Sequence, residues 1–250
     1  AKGDTVFSNV LVVVINVVSQ DYVPYRPVTR GCVANFDAVR SANSNTSANR
    51  HLWQDMSGVN TICELKGFNY SSNGWLDGVL RFGGDAYAEI NLQPFKENIT
   101  NGFTFDILYK VNNVGDIEAR VCDCKEDLDG VLVTGFTINT YKAEIATSRR
   151  AIKVDHSEDV WTRMTFVVDR QNRFMQVYVN AVLTKTAIID SDEPFITEKK
   201  IILGARVNDS KGDIINTATC DIQSVRIYNT ALTHQEVLQN HISDIHDRDA

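Results

Sequence analysis

Gly102-Phe103-Thr104-Phe105-Asp106-Ile107-Leu108-Tyr109-Lys110-Val111 sets Phe103, Phe105, Ile107, Tyr109 and Val111 on one parity, and Thr104, Asp106, Leu108 and Lys110 on the other. Period 2 with one aromatic-rich side is the pattern of a half-buried β-strand. The same alternation returns at Met164, Phe166 and Val168, at Met175, Val177 and Val179, and at Tyr141, Ala143 and Ile145. Shorter runs lie at 79–82, 87–92, 120–124, 131–133, 136–138, 200–203 and 221–228. Turn formers stand between them: Asn73-Gly74, Gly83-Gly84, Asn101-Gly102, Asp129-Gly130, Asn180-Ala181 and Lys211-Gly212. Many short strands with regular turns and no βαβ rhythm predict an all-β, two-sheet antiparallel sandwich. Residues 41–49 are rich in Ser and Asn and read as a loop.

A helix is predicted at the C-terminal end. Thr233-His234-Gln235-Glu236 has the spacing of a capping box, in which hydroxyl and carboxylate each satisfy an orphan N–H. Val237, Leu238, Ile242 and Ile245 then form an apolar stripe at helical spacing, the face expected to pack down. At the other end, residues 1–28 read as a β arm or linker, and 29–250 as the main domain. The arm carries Val10, Val12 and Val14 and then Tyr22-Val23-Pro24-Tyr25-Arg26-Pro27, whose prolines favour an extended connection. Val10, Val12, Val14, Tyr22 and Tyr25 suit docking on a neighbour's sheet edge; an extra strand of the same domain is the equal alternative.

The 250 residues are 43% apolar and 23% charged, an ordinary globular composition, with a net charge of −7. That balance argues against nucleic acid, whose binders present a basic face. The apolar run around Val10 is broken by Asn16 and is too short for a bilayer span, which takes about 20 residues. Ala1-Lys2-Gly3-Asp4 lacks the features of a signal peptide, so a protein made in a cytoplasm and not secreted is expected.

Candidate chemistry is sparse. The five cysteines, Cys32, Cys63, Cys122, Cys124 and Cys220, make no disulfide framework. Cys122 and Cys124 share one side of a strand and read as buried thiols. Asp116 with Glu118, and Glu126, Asp127 and Asp129, are the nearest approach to a paired-carboxylate site; the second group reads as a solvated hairpin turn. His234 and His241 are seven apart, not the four of a zinc helix, and His51, His156 and His246 sit in no motif. No cofactor is expected, except that Asp190, Asp192 and Asp209 lie in oxygen-rich loops that suit Ca²⁺. Asn69, Tyr70, Asn73 and Tyr87 combine aromatic faces with amides and are the candidate glycan-binding residues. Trp53, Trp75 and Trp161 read as core.

Several segments, in order, resemble a known family. They are residues 74–90 (Gly74-Trp75-Leu76-Asp77-Gly78-Val79-Leu80-Arg81-Phe82-Gly83 onward), the 101–111 strand, Trp161 to Asp169 followed by Met175 to Asn180, and Ile201-Ile202-Leu203-Gly204. The closing run Asp221-Ile222-Gln223-Ser224-Val225-Arg226-Ile227-Tyr228-Asn229-Thr230-Ala231-Leu232-Thr233, with Glu236-Val237, carries most of the weight. Together, over roughly 29–245, they resemble laminin-G-like and pentraxin-like jelly rolls of the concanavalin A-like type. Two departures stand out. Ala181 replaces the family's turn glycine, so a different turn type is expected there. Gly83-Gly84-Asp85-Ala86-Tyr87 lacks the family's acidic cluster.

Gly31-Cys32-Val33-Ala34-Asn35-Phe36-Asp37 and Leu52-Trp53-Gln54-Asp55-Met56-Ser57-Gly58 are similar to openings found in bacteriophage tail and fibre proteins. That resemblance implies a non-catalytic virion component: a fibre, decoration protein or adhesin, located in the virion. Its partners would be copies of itself, other virion proteins and a host-surface glycan, with no membrane insertion. The alternatives are a bacterial carbohydrate-binding or adhesion module, acting outside the cell, and a glycoside hydrolase of the same fold.

Overall fold

The computed structural model describes residues 26–91, 102–113, 118–128, 132–147, 149–190, 200–207 and 212–249, with side chains undescribed at 126–128, 132–133 and 246–249. The arm residues Val10, Val12, Val14, Tyr22 and Tyr25 lie outside the described residues, as do Asp192 and Asp209. In chain order come β1 (Cys32–Asp37), β2 (Leu52–Trp53), β3 (Cys63–Lys66), β4 (Gly74–Leu76), β5 (Val79–Phe82) and β6 (Tyr87–Ile90). Next are β7 (Gly102–Asn113), β8 (Arg120–Leu128), β9 (Leu132–Asn139), β10 (Lys142–Ala146), β11 (Ala151–Asp155) and β12 (Thr162–Asp169). Then β13 (Phe174–Val179), β14 (Val182–Ile188), β15 (Ile201–Leu203), β16 (Arg206–Val207), β17 (Ile214–Ile215) and β18 (Thr219–Tyr228) lead to α1 (His234–Asp249).

These strands form two large antiparallel sheets and one small pair. The first runs β14-β13-β12-β7-β18-β5-β4, and the second β11-β10-β9-β8-β15-β6-β3-β2; β16 pairs with β17. β18 organises the first sheet. One edge pairs with β7; along the other, Cys220–Ile222 pair with β5 and Ser224–Tyr228 with β1. The two sheets enclose one core, in which Phe136 of β9 meets Phe103 and Phe105 of β7 and Phe166 of β12, at centroid distances of 5.8, 4.4 and 5.6 Å. This is a jelly-roll sandwich, and the expected alternation is what builds it: Phe103, Phe105, Ile107, Tyr109 and Val111 all point into the core. Of the runs 131–133 and 136–138, which read as two, the described residues Leu132–Val133 and Phe136–Ile138 belong to one strand continued through Gly135.

Cys63, Cys122, Cys124 and Cys220 are buried free thiols, and Cys122 and Cys124 share the core side of β8 as expected. Of the tryptophans, Trp53 and Trp75 are core, whereas Trp161 is only half-buried.

The Asn180-Ala181 turn corrects the expectation of a different turn type. Val179 pairs with Val182, and both intervening residues have positive φ, +50° and +63°, the geometry of a two-residue type I′ hairpin. Ala181 is retained there because its methyl group is buried in a second cluster with Val28, Val167, Tyr178, Tyr228, Leu232 and Val237. Gly204 is a position where glycine is required. Its φ is +79°, and a Cβ would stand 2.3 Å from Cδ1 of the buried Phe82. Gly204→Ala is expected to cost about 2–4 kcal/mol, from left-handed backbone strain and overpacking together. Urea unfolding measures it, and a loss below about 0.5 kcal/mol would refute the argument.

Helix α1 lies on the outer side of the first sheet. Its cap is the predicted one: the Thr233 N–H donates to Glu236 Oε2 at 2.8 Å, and the Glu236 N–H to Thr233 Oγ1 at 3.3 Å. Its buried face matches the predicted stripe only at Val237. The residues turned to the sheet are Val237, Asn240, Ser243 and Asp244, while Leu238 is 39% exposed and Ile242 and Ile245 are only half-buried. The reason is the surface beneath. The outward parity of β7, β12 and β18 presents Asp106, Arg163, Thr165, Ser224 and Arg226, all buried, so the helix face that covers them must supply hydrogen-bond partners. Arg226 donates to Asp244 Oδ1 at 2.5 Å, to Asp244 Oδ2 at 3.0 Å and to Asn35 Oδ1 at 3.1 Å. Arg163 donates to Asp106 at 2.5 Å and also to Asp244. Thr165 donates to Asp106 at 2.7 Å, Ser224 to Asp244, and the Asn240 amide to Asp106 at 3.1 Å. The root of the arm is fastened to the same helix: the Val28 N–H donates to Asn240 Oδ1 at 2.9 Å, and the Gln239 amide to the Arg26 carbonyl at 2.9 Å.

Burial alone would raise the Asp244 carboxyl, but Arg163 and Arg226 outweigh it and hold the group far below the usual carboxylate range. Its folded value is therefore depressed, so its stabilisation is complete above the unfolded carboxylate value and is lost as pH falls through and below that value. Asp37 works in the opposite sense. Burial raises it more than Arg226 lowers it, so the stability linked to its protonated form is lost as pH rises through its raised value. Unfolding free energy measured from pH 7 to pH 2 is expected to fall below about pH 4. In Asp244→Asn the acid slope should flatten while neutral-pH stability drops; an unchanged slope would refute the assignment.

Candidate ligand-binding end of the sandwich

The β1–β2 loop is rich in Ser and Asn, residues whose side chains bond readily to nearby backbone. The Asn43 amide donates to the Leu52 carbonyl at 2.5 Å, and Asn45 Oδ1 accepts the Trp75 N–H at 2.7 Å. The Arg50 carbonyl accepts both the Trp75 indole N–H, at 3.0 Å, and the Tyr70 hydroxyl, at 3.1 Å. Trp75 and Tyr70 thus tie this loop to the β3–β4 loop.

The β3–β4 loop is folded around Asn73. Its Oδ1 accepts the Asn69 and Tyr70 N–H groups at 2.9 and 3.3 Å, and its amide donates to the Gly83 carbonyl at 3.0 Å. Asn73 is buried, one end of its amide holding the loop and the other tying it to the β5–β6 turn, so it shapes the site from within. Asn69 is exposed, its Oδ1 accepting the Ser71 and Ser72 N–H groups at 2.9 Å each. Tyr70 is half-buried, with the Arg50 guanidinium 4.5 Å above its ring. Tyr87 stands apart on β6, opposite Lys66, whose ammonium lies 5.9 Å from its ring. Of the four candidate glycan residues, the structure joins Asn69 and Tyr70 at one surface, puts Asn73 beneath them and leaves Tyr87 on the sheet.

The Ser/Asn-rich loop also walls a cleft of about 370 Å³ with β2 and the β2–β3 loop. Asn49, Gln54, Asn60, Leu52, Ile62 and Trp53 form much of its wall. Sequence reading passed over Asn49, Gln54 and Asn60, because exposed amides in loops carry no periodic signal. The β2–β3 loop is held by Asp55: Oδ1 accepts the Asn35 and Ser57 N–H groups at 2.8 and 2.9 Å, and Oδ2 accepts the Ser57 hydroxyl and Thr61 N–H at 2.7 and 2.8 Å.

On the outer side of the second sheet, acids alternate with lysines. Glu89 sits between Lys66 and Lys200 at 2.8 and 2.7 Å, and Glu144 between Lys125 and Lys153 at 2.8 and 3.4 Å. Burial raises both carboxyls, but the lysines outweigh it and hold them below the usual range. Asp123 is pushed upward by burial against Thr137 and Arg206, but it is only 7% exposed. Asp116 and Asp129 lie outside the described residues, as do the side chains of Glu126 and Asp127; Glu118 is exposed and pairs with Arg120 at 3.0 Å. Correcting their reading as turn residues, Glu126 and Asp127 belong to β8. His156 is half-buried, its ring packed edge-on to Tyr109, and desolvation there lowers its pKa from the ordinary imidazole value. Among the candidate calcium residues, Asp190 accepts from Arg149 at 3.0 Å. Among the described residues no group of three His, Cys, Asp or Glu could hold a metal ion, and no helix is long and apolar enough to cross a membrane.

Two antiparallel sheets packed as a sandwich, with a capped helix laid over one face, define a concanavalin A-like jelly roll. Residues 82–238 match the family described as the Concanavalin A-like lectin/glucanases superfamily, and the chain belongs to it. Similar solved structures include the receptor-binding domain of a botulinum neurotoxin C/D mosaic serotype (TM-score 0.60, 13% identity, 87% of this chain and 52% of that one). The ligand-binding domain of botulinum neurotoxin serotype D, in complex with N-acetylneuraminic acid, is alike to the same degree (0.60, 14%, 87% and 51%). The binding domain of botulinum neurotoxin DC in complex with rat synaptotagmin II gives 0.54, 12%, 85% and 52%. The chain spans about half the length of these neighbours, and at such identity the likeness is one of fold. Comparison with curated protein sequences finds no match.

Proposed function

We propose that this chain is a non-catalytic binding module that recognises a glycan at the loop end of the sandwich and is displayed on a bacteriophage virion. The observation that carries the binding reading is the pre-organisation of that end. Asn73, Asn45 and Asp55 spend their polar atoms holding loops, and Tyr70 with Arg50 is left at the surface. Against hydrolysis stand Glu89 and Glu144, each gripped by two lysines, and the burial of Asp123. Retaining or inverting chemistry needs two accessible carboxyl groups with split roles. Fold alone does not decide between lectin and glucanase. The reading is supported further by structural neighbours that are receptor-binding domains.

A glycan array with the full chain, run beside a reducing-sugar release assay on every hit, tests this. Binding without release is expected; release, abolished by Asp123→Asn or Glu144→Gln, would establish the hydrolase instead. The virion reading rests on the resemblance of residues 31–37 and 52–58 and on the Val/Ile-rich arm. Light scattering of the full chain and of a chain starting at Arg26, which keeps the α1 contacts of the arm root, is expected to give a defined oligomer and a monomer. Two monomers would favour the free-standing adhesion module.

A further inference from the structure

We propose that the cleft walled by Asn49, Gln54 and Asn60 binds an uncharged sugar, about one or two pyranose units long, and rejects acidic ones. This rests on the glycan-binding reading and gives it a site and a ligand class.

The three amide side chains are exposed, and none makes a hydrogen bond among the described residues. Each amide carries a donor and an acceptor end, the combination that satisfies a hydroxyl in both its roles. Leu52 and the 55%-exposed Ile62 add an apolar wall suited to the C–H face of a sugar ring. Trp53, otherwise buried against Phe36 and Trp75, also lines the cleft, and its buried indole N–H has no partner among the described residues. A buried donor without an acceptor is costly, and a ligand oxygen that reached it would remove that cost. The cleft, at about 370 Å³, falls at the small end of ligand pockets, roughly 300–1,000 Å³.

The charge argument sets the class. Among the described residues the cleft has no Lys or Arg on its walls. Its charged wall residue is Asp55, whose two oxygens already accept four hydrogen bonds from the protein, leaving the negative charge in place with no lone pair to offer a ligand. A carboxylate entering beside it would lose hydration with no counter-charge to offset the loss. The net charge of −7 acts in the same direction at long range. The cleft is rigid where it matters, because Asp55 anchors both Ser57 and Thr61, on either side of Asn60, whose φ of +63° suits asparagine.

The test uses the full chain on an array carrying neutral oligosaccharides alongside sialylated and uronate-bearing ones, with titration of the strongest hit against Asn49→Ala/Gln54→Ala, two exposed cleft residues without left-handed backbone. The expected result is neutral hits whose affinity falls roughly tenfold or more in the double variant, with an unchanged thermal melt, since two lost hydrogen bonds account for that much. Trp53→Phe should weaken the same hit by a few-fold. Acidic hits alone, or neutral hits untouched by the double variant, would overturn the cleft assignment and leave glycan binding elsewhere. No glycan hit at all would overturn the glycan reading and this site with it.

Discussion

Arg226→Ala is expected to remove roughly 3–5 kcal/mol of folding stability, enough to unfold many domains of this size at physiological temperature. The Arg226 side chain is fully buried among Asp244, Asp37 at 3.5 Å and Asp106 at 3.9 Å. Removing it leaves Arg163 alone to compensate Asp106 and Asp244, leaves Asp37 with only the more distant Arg40 at 3.8 Å, and strips Asn35 Oδ1 of its donor. Arg226→Lys is expected to recover only part of the loss, because a single ammonium cannot reproduce the paired contacts to both Asp244 oxygens. Urea unfolding of the two variants measures this. A loss below about 1 kcal/mol for alanine would mean that the cluster relaxes by admitting water, and that α1 is held by other contacts.

Phe136→Ala should cost a comparable amount, about 3–5 kcal/mol. Phe136 is the ring through which β9 of the second sheet meets Phe103, Phe105 and Phe166 of the first. Its removal opens a cavity where two sheets of fixed spacing meet, a place with little freedom to collapse, so the cavity adds to the lost transfer free energy. Phe136→Leu, which retains most of the volume, is expected to cost under half as much. Equal losses for the two would show that the site collapses around either side chain. Neither change touches the loop end, so ligand affinity of the folded fraction should stay unchanged.

Much of the sandwich was legible in the residues. Phe103 through Val111 displays the core parity of β7, and Met164, Phe166 and Val168 that of β12, because a strand buried on one side writes its burial as period 2. The helix start was legible in Thr233 and Glu236, since a cap is a local bond between residues three apart. The candidate site was legible only in part. Asn69, Tyr70 and Asn73 read alike in the sequence, as amides beside an aromatic ring, although Asn73 is buried beneath the other two, and Asn49, Gln54 and Asn60 give no signal. An exposed amide and an amide that bolts a loop are the same letter, and only the path of the chain distinguishes them.

The helix face shows where local pattern stops. Sequence by itself determined a helix after β18 and a stripe of Val237, Leu238, Ile242 and Ile245. It also determined polar residues on the outward parity of β7, β12 and β18, a pattern that by itself reads as solvent-facing. Only the tertiary structure decided that Asp106, Arg163, Ser224 and Arg226 are buried beneath α1, and that Asn240 and Asp244 turn down to meet them while Leu238 faces out. Hydrophobic periodicity ranks the faces of an isolated helix by transfer from water. Once the surface beneath is charged, leaving a guanidinium unpaired costs more than exposing a leucine, and the helix turns its carboxylate to the sheet.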